Sequence, residues 1–155
     1  MRITKYKTRL TKDKRVTLEK EISVNRPDVD GIIKCPDNVD EIARGCLRLN
    51  EESEEYLYMI CMNTKNKVIG VFEISHGNVN SSIFGVREIL QKALLANAVS
   101  IIMIHNHPSG DTSPSREDVN VTMRLSDAAK LVGIELLDHI IIGDKYCSLK
   151  EKGYI

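Results

Sequence analysis

Four residues between positions 105 and 118 are of types that can act together on one ion: His105, His107, Ser115 and Asp118. Residues two apart in an extended chain point to the same face and lie roughly 6.5–7 Å apart along the strand. Two imidazoles so placed can converge on one ion, whose Zn–N bonds are about 2.0–2.1 Å. The H-x-H pair alone is weak evidence, because histidines near strand ends are often only hydrogen-bonded. Asp118 adds a carboxylate three residues before Val121, in a helix predicted to start near Pro114 with a core stripe of Val121, Leu125, Ala128 and Val132. A buried carboxylate is costly unless paired or metal-bound. Two histidines and one carboxylate leave a fourth tetrahedral position open, as a catalytic zinc requires. Water there becomes a nucleophile near neutral pH. A general base must then take its proton, and the Ser115 hydroxyl is a candidate donor to the developing oxyanion. A structural reading competes: Ser115-Arg116-Glu117-Asp118 is also an S-x-x-D capping box. Pro114 argues partly against it, since proline at the first helical position would make Ser113 the cap.

Such a site needs a strand to deliver the histidines and a helix to deliver Asp118. Ser100 to Ile104 is a short β-branched run leading into His105-Asn106-His107, and the helix from Pro114 ends before Gly133, a plausible C-cap. Upstream, residues 3–10 and 15–24 read as two strands about a Thr11-Lys12-Asp13-Lys14 turn, with Val16, Leu18, Ile22 and Val24 alternating as in a half-buried strand. Residues 25–37 carry Pro27, Gly31 and Pro36 and read as a linker. A helix follows from about Asn38, with Val39, Ile42, Ala43, Cys46 and Leu47 on one face. Tyr56 to Met62 and Val68 to Ser75 are strands, and a second helix spans about Val86 to Asn97 with Ile89, Leu90, Ala93 and Leu94 inward. Glu135 to Ile142 and Tyr146 to Leu149 form a closing hairpin. Helices interleaved with strands indicate an α/β sandwich with a mixed sheet.

The chain has 155 residues, enough for one domain with a real core. Lys+Arg and Asp+Glu are both 22, so overall charge gives no bias toward nucleic acid. The balance is uneven: Arg2, Lys5, Lys7, Arg9, Lys12, Lys14, Arg15 and Lys20 face only Asp13 and Glu19 within the first 20 residues. No secretory signal and no apolar run of membrane length is present, so no membrane association and a cytoplasmic location are expected. Cys35, Cys46, Cys61 and Cys147 form no C-x-x-C pair and read as thiols of a reducing compartment.

The spacing H-x-H, seven residues, S-x-x-D resembles the JAMM (MPN+) metallopeptidase motif. The wider string His105-Asn106-His107-Pro108-Ser109-Gly110-Asp111, Pro114-Ser115-Arg116-Glu117-Asp118 and Gly133-Ile134-Glu135-Leu136-Leu137-Asp138-His139 resembles the RadC-like branch of the JAB/MPN family. The likeness runs from about residue 38 to the C-terminus. It divides the chain into a strand-like extension and linker (1–37) and a RadC-like JAB/MPN domain (38–155). It implies a cytidine-deaminase-like α/β/α fold, preceded here by a β-hairpin, and zinc held by His105, His107 and Asp118. Family members place a water-activating glutamate at the start of an early strand. Glu55 matches that position; Glu54, shifted by one residue to the opposite face, and Glu73 within the next strand are rivals.

The implied activity is zinc-dependent hydrolysis of amide or isopeptide bonds in a peptide substrate. The alternative is a DNA-associated protein of repair, recombination or a mobile element, touching nucleic acid through the basic N-terminal segment. That role is weakened because residues 1–37 are too short and strand-like for the helix-hairpin-helix that fuller relatives often carry. His139 either supports the site by holding a ligand or is a satisfied core histidine, and His76 reads as a turn residue. The literal His-Asn-His string is a coincidental match to HNH nucleases. The deaminase signature H-x-E with P-C-x-x-C is absent. Residues 76–85 read as a specificity loop without a legible pattern, and the sequence leaves oligomeric state open.

Overall fold

Apolar runs in the central strands explain the layering of the fold. The structure, a computed structural model, describes residues 2–26, 30–77 and 85–155. Its strands are β1 (Arg2–Leu10), β2 (Val16–Asn25), β3 (Tyr56–Met62), β4 (Val68–His76), β5 (Ser100–Asn106), β6 (Glu135–Ile142) and β7 (Tyr146–Ser148). Its α-helices are α1 (Pro36–Gly45), α2 (Val86–Leu95) and α3 (Arg116–Leu131), with a short 3-10 turn at Leu49–Glu51. The seven strands form one sheet in the order β2-β1-β4-β3-β5-β6-β7. It is mixed: β1 runs parallel to β4 and β5 parallel to β6, while the other neighbours are antiparallel.

β3 and β5 are central and buried from Leu57 to Met62 and from Ser100 to Asn106, so Leu57–Met62 and Ile101–Ile104 read as apolar runs rather than alternations. Their side chains divide by parity. Tyr58, Ile60, Met62, Ile102 and Ile104 pack with Val39, Ile42 and Ala43 of α1. Leu57, Met59, Cys61, Ile101 and Met103 pack with Ile89 and Ala93 of α2 and Leu125 and Ala129 of α3. The result is the expected α/β/α sandwich, α1 on one face and α2 with α3 on the other. The hairpin of β1 and β2 joins the same sheet, pinned through Lys5, whose Nζ lies 2.7 Å from Glu73 Oε2. Residues 27–29 of the expected linker and residues 78–84 of the expected specificity loop lie outside the described residues.

Three packing expectations are corrected. The inward stripe of α3 is Thr122, Leu125, Ser126 and Ala129, not Val121, Leu125, Ala128 and Val132, because two buried polar residues, Thr122 and Ser126, occupy inward positions. Ile22 is 56% exposed. A bulge opposes Lys5 to Ile22 but Tyr6 to Lys20, so Glu21 is inserted and the period-two pattern slips by one. Leu94, expected inward with Ala93, faces outward, while Ala93 fills the core as expected. Smaller shifts sit at the helix starts. α1 begins at Pro36, using proline at its first turn, and α3 begins at Arg116 with Ser115 as the cap rather than Ser113. Gly133 follows α3 in the left-handed region at φ +74°, the conformation that ends a helix cheaply in glycine.

Candidate metal centre

The carboxyl end of β5 carries both histidines. His105, the penultimate strand residue, is buried against the α3 face. His107 lies one residue past the strand, and its backbone N–H still donates to Ile142 O of β6 at 2.8 Å. The chain then turns: Gly110, at φ +84°, donates its N–H to His107 O, and Asp144 N–H donates back to Gly110 O. That turn brings Asp111 O to 2.7 Å from His107 Nδ1. A carbonyl has no proton to give, so Nδ1 is the donor and Nε2 is the ring atom turned toward the cluster.

α3 delivers the third group from the opposite side. The capping box forms in full: Asp118 N–H donates to Ser115 Oγ at 3.1 Å, and Asp118 Oδ2 accepts from Ser115 N–H at 2.7 Å. Ser115 Oγ–H also donates to Oδ2 at 2.6 Å. The capping and metal readings are therefore compatible, since the cap orients the carboxylate toward the histidines. Asp118 Oδ1 lies 3.5 Å from His105 Nε2, and Oδ2 3.9 Å from His107 Nε2. The two Nε2 atoms face each other at 2.9 Å.

Ligand atoms of His105, His107 and Asp118 all fall within 4.8 Å of one another. Bonds of about 2.0–2.1 Å in a tetrahedron give ligand–ligand edges of about 3.3 Å, close to these separations, so the donor set fits a zinc-sized ion. Burial, and then the neighbouring His139, hold the His105 pKa well below its ordinary value, with Asp118 pulling weakly the other way. A neutral imidazole is the metal-binding form.

Of the candidate bases, Glu55 is the one that strand alternation, extended one residue before β3, assigns to this face. Leu57 stands opposite His105 in the β3–β5 ladder, and strand alternation carries Glu55, two residues earlier, to the same side as Leu57. Glu55 is half-buried and Glu54 exposed. Glu73 belongs to the other face, where Lys5, Tyr58 and His76 surround its carboxylate. His76 is the last residue of β4 rather than a turn residue, and its ring stacks on Tyr56. His139 lies wholly inside, with Nε2 2.8 Å from His105 Nδ1 and Nδ1 2.6 Å from Thr122 Oγ1.

Two residues of the site were not foreseen. Thr122 sits one helical turn beyond Asp118, and only that i, i+4 spacing could have flagged it. Asn106, the spacer of H-x-H, is 1% exposed and faces away from the histidines. Its Oδ1 accepts from Tyr56 N–H at 2.7 Å, and its Nδ2 donates to Glu54 O at 2.9 Å. It thus grips the peptide groups on both sides of Glu55.

Fold and site together define a mixed-sheet α/β domain with a His-His-Asp cluster suited to a metal ion. The chain belongs to the RadC-like JAB domain family, whose model matches residues 33–154. Among similar proteins, a UPF0758 protein of Bacillus licheniformis is 49% identical over 125 residues, covering 80% of this chain and 55% of that protein. A UPF0758 protein of Clostridium acetobutylicum is 53% identical over 109 residues, covering 70% and 48% respectively. One from Clostridium tetani is 58% identical over 100 residues, covering 64% and 44%. The chain spans about half the length of these curated relatives. Among the described residues, no helix is long and apolar enough to cross a membrane.

Proposed function

We propose that this domain is a zinc-dependent hydrolase of peptide or isopeptide bonds, with His105, His107 and Asp118 as the metal ligands. The observation that carries the reading is the apposition of two Nε2 atoms at 2.9 Å beside one carboxylate. The two nitrogens converge on one point, which a hydrogen occupies in the metal-free protein and a cation when one is bound, and the Asp118 carboxylate faces the same point. When bound, zinc supplies a Lewis acid and lowers the pKa of water toward about 7. Glu55, at the strand entry gripped by Asn106, is the group that takes the proton from water and passes it to the leaving nitrogen. Ser115 holds Asp118 through its hydroxyl. Turning that hydroxyl to a developing oxyanion exchanges one charge-assisted hydrogen bond for another. A reducing, cytoplasmic setting accords with four cysteines that form no disulfide.

Elemental analysis of the purified protein tests the centre. About one zinc per chain is expected, lost in His107→Ala and in Asp118→Ala, whereas Glu55→Gln keeps zinc and loses turnover. A wild type that neither contains nor takes up zinc overturns the proposal.

A second reading, association with DNA, rests on the exposed turn carrying Lys12, Lys14 and Arg15. Further along the hairpin, Arg9 pairs with Glu19 and Lys7 and Lys5 with Glu21, so much of the basic excess is neutralised within the fold. Binding to duplex DNA that weakens steeply with salt and disappears on neutralising the three turn residues would favour it.

A further inference from the structure

We propose that Arg44, carried by the helix on the opposite face of the sheet from His105, is a positioning residue that fixes the turn against which His107 is aligned. Its effect on metal binding rests on the zinc reading, which it deepens. A chain of hydrogen bonds runs from the end of α1, around the carboxyl end of β6, to the His107 ring.

Arg44 stands in the last turn of α1. Its Nε donates to both carboxylate oxygens of Asp40, one helical turn earlier, at 2.8 and 3.0 Å. Its Nη2 donates to Gly143 O at 2.9 Å and to Lys145 O at 3.0 Å, two carbonyls of the turn that joins β6 to β7. Nη2 has two hydrogens, one for each carbonyl. A planar guanidinium held by a carboxylate keeps those hydrogens in a fixed direction, and bonds from a charged donor are the stronger kind.

The turn so held is fitted to a second one. Asp144 N–H donates to Gly110 O at 2.9 Å, and Gly110 N–H donates to His107 O at 3.0 Å. A Cβ at Gly143 would lie 2.3 Å from Gly110 O, and one at Gly110 would lie 2.8 Å from Asp144 Oδ1. The two backbones therefore touch with no side chain between them. His107 is tied at both ends of this contact. Its N–H donates to Ile142 O, immediately before Gly143, and its Nδ1 to Asp111 O, immediately after Gly110. The backbone and ring bonds of His107 thus both end one residue from the place where the turns meet.

A cation in the last turn of α1 also complements the helix dipole and pairs with Asp40, which any basic residue would do. Lysine separates the two roles. Arg44→Lys keeps the charge and the reach to Asp40, but one ammonium on a flexible stem cannot hold a carboxylate and two carbonyls in a fixed arrangement. Tyr146→Phe is the control for simple docking of α1 on the hairpin. It removes the 2.8 Å bond from the Tyr146 hydroxyl to Asp37 Oδ1, a link between the same elements that bypasses the turn.

The deciding measurements are amide hydrogen exchange of the metal-free protein and zinc competition titration, on wild type and the three variants. In Arg44→Ala and Arg44→Lys the Asp144 and Gly110 amides should exchange about tenfold faster or more, the order set by one lost bond from a charged donor. Amides of the β5–β6 ladder should keep their protection. Direct supports of metal-bound histidines contribute about 10–100-fold in affinity; Arg44 acts through a turn, so zinc binding should weaken about tenfold, the low end of that range. Arg44→Lys should recover thermal stability lost in Arg44→Ala without recovering either of these. Tyr146→Phe should match wild type in both. Unchanged exchange or unchanged zinc affinity in Arg44→Ala, full recovery in Arg44→Lys, or the same losses in Tyr146→Phe would overturn the proposal. A wild type that takes up no zinc refutes the metal reading, and the exchange comparison alone then decides whether Arg44 holds the turn.

Discussion

Replacing Asn106 by alanine should loosen the segment that carries Glu55 without touching the metal ligands. The side chain makes two hydrogen bonds, 2.7 Å from Tyr56 N–H and 2.9 Å to Glu54 O, from a position that is 1% exposed. Leaving a buried donor or acceptor unpartnered costs about 1–3 kcal/mol each. Water can reach the half-buried 54–56 segment, which favours the low end, so the sum is about 2–3 kcal/mol. For a chain of this length that corresponds to a Tm about 5–10 °C lower. Urea unfolding of the metal-free protein is the appropriate assay, since bound metal would add its own stabilisation. Zinc stoichiometry should stay at the wild-type value, because Asn106 faces away from His105 and His107. Asn106→Asp should fare little better, since it sets a carboxylate oxygen against Glu54 O. An Asn106→Ala protein within about 0.5 kcal/mol of wild type, or one that lost zinc, would refute the separation of a clamp on one face from a metal centre on the other.

Gly143→Ala should strain the turn beyond His107, because a Cβ there would lie 2.3 Å from Gly110 O. Backbone cannot yield as a flexible side chain can, so about 1–3 kcal/mol of destabilisation and weaker zinc binding are expected, read by urea unfolding and zinc titration. The metal-free protein should lose stability below neutral pH. Burial pushes His139 down from 6.5 to about 3, so between these values the unfolded chain binds a proton that the folded one refuses. This contribution is fully present above pH 6.5 and is lost as pH falls through the window, about 2 kcal/mol by pH 5. Urea titrations at pH 7 and 5 on chelated wild type and His139→Gln would show the slope in the first and its reduction in the second. Burial raises the Cys61 thiol to about 12, so it should resist iodoacetamide at pH 8 in the folded protein while exposed Cys35 reacts, as peptide mass mapping would show.

The cluster of His105, His107 and Asp118 was legible because it lies in one short stretch with strict spacing, the histidines two apart and the carboxylate on the following helix. The sandwich was legible because β3 and β5 are apolar on both faces and the helices are not. What escaped notice was polar and inside. Thr122 and Ser126 broke the apolar stripe of α3, and a reading based on hydrophobicity moved the stripe by one position to Val121 and Ala128. Asn106 passed as a spacer since its partners are backbone groups some 50 residues away, and no local pattern records them. Ile22 was misplaced by a bulge whose extra residue, Glu21, matters only once β1 supplies the opposing register. Such errors share a cause: each depends on a contact distant in sequence.

The attachment of the N-terminal hairpin has a dynamic consequence. β1 and β2 pair along their whole length, whereas among the described residues the ladder between β1 and β4 comprises just Lys5↔Val71 and Tyr6↔Phe72, reinforced by the Tyr6–Phe72 stack, the Lys5–Glu73 pair and buried Ile3. Regions with few anchoring contacts open at lower free energy than the global transition. Amide hydrogen exchange should therefore find one cooperative unit in residues 2–25 that opens before β5 does. Two strands, β4 and β3, stand between that unit and the histidines. The hairpin is therefore expected to open as a flap on the sheet edge without moving the buried histidines.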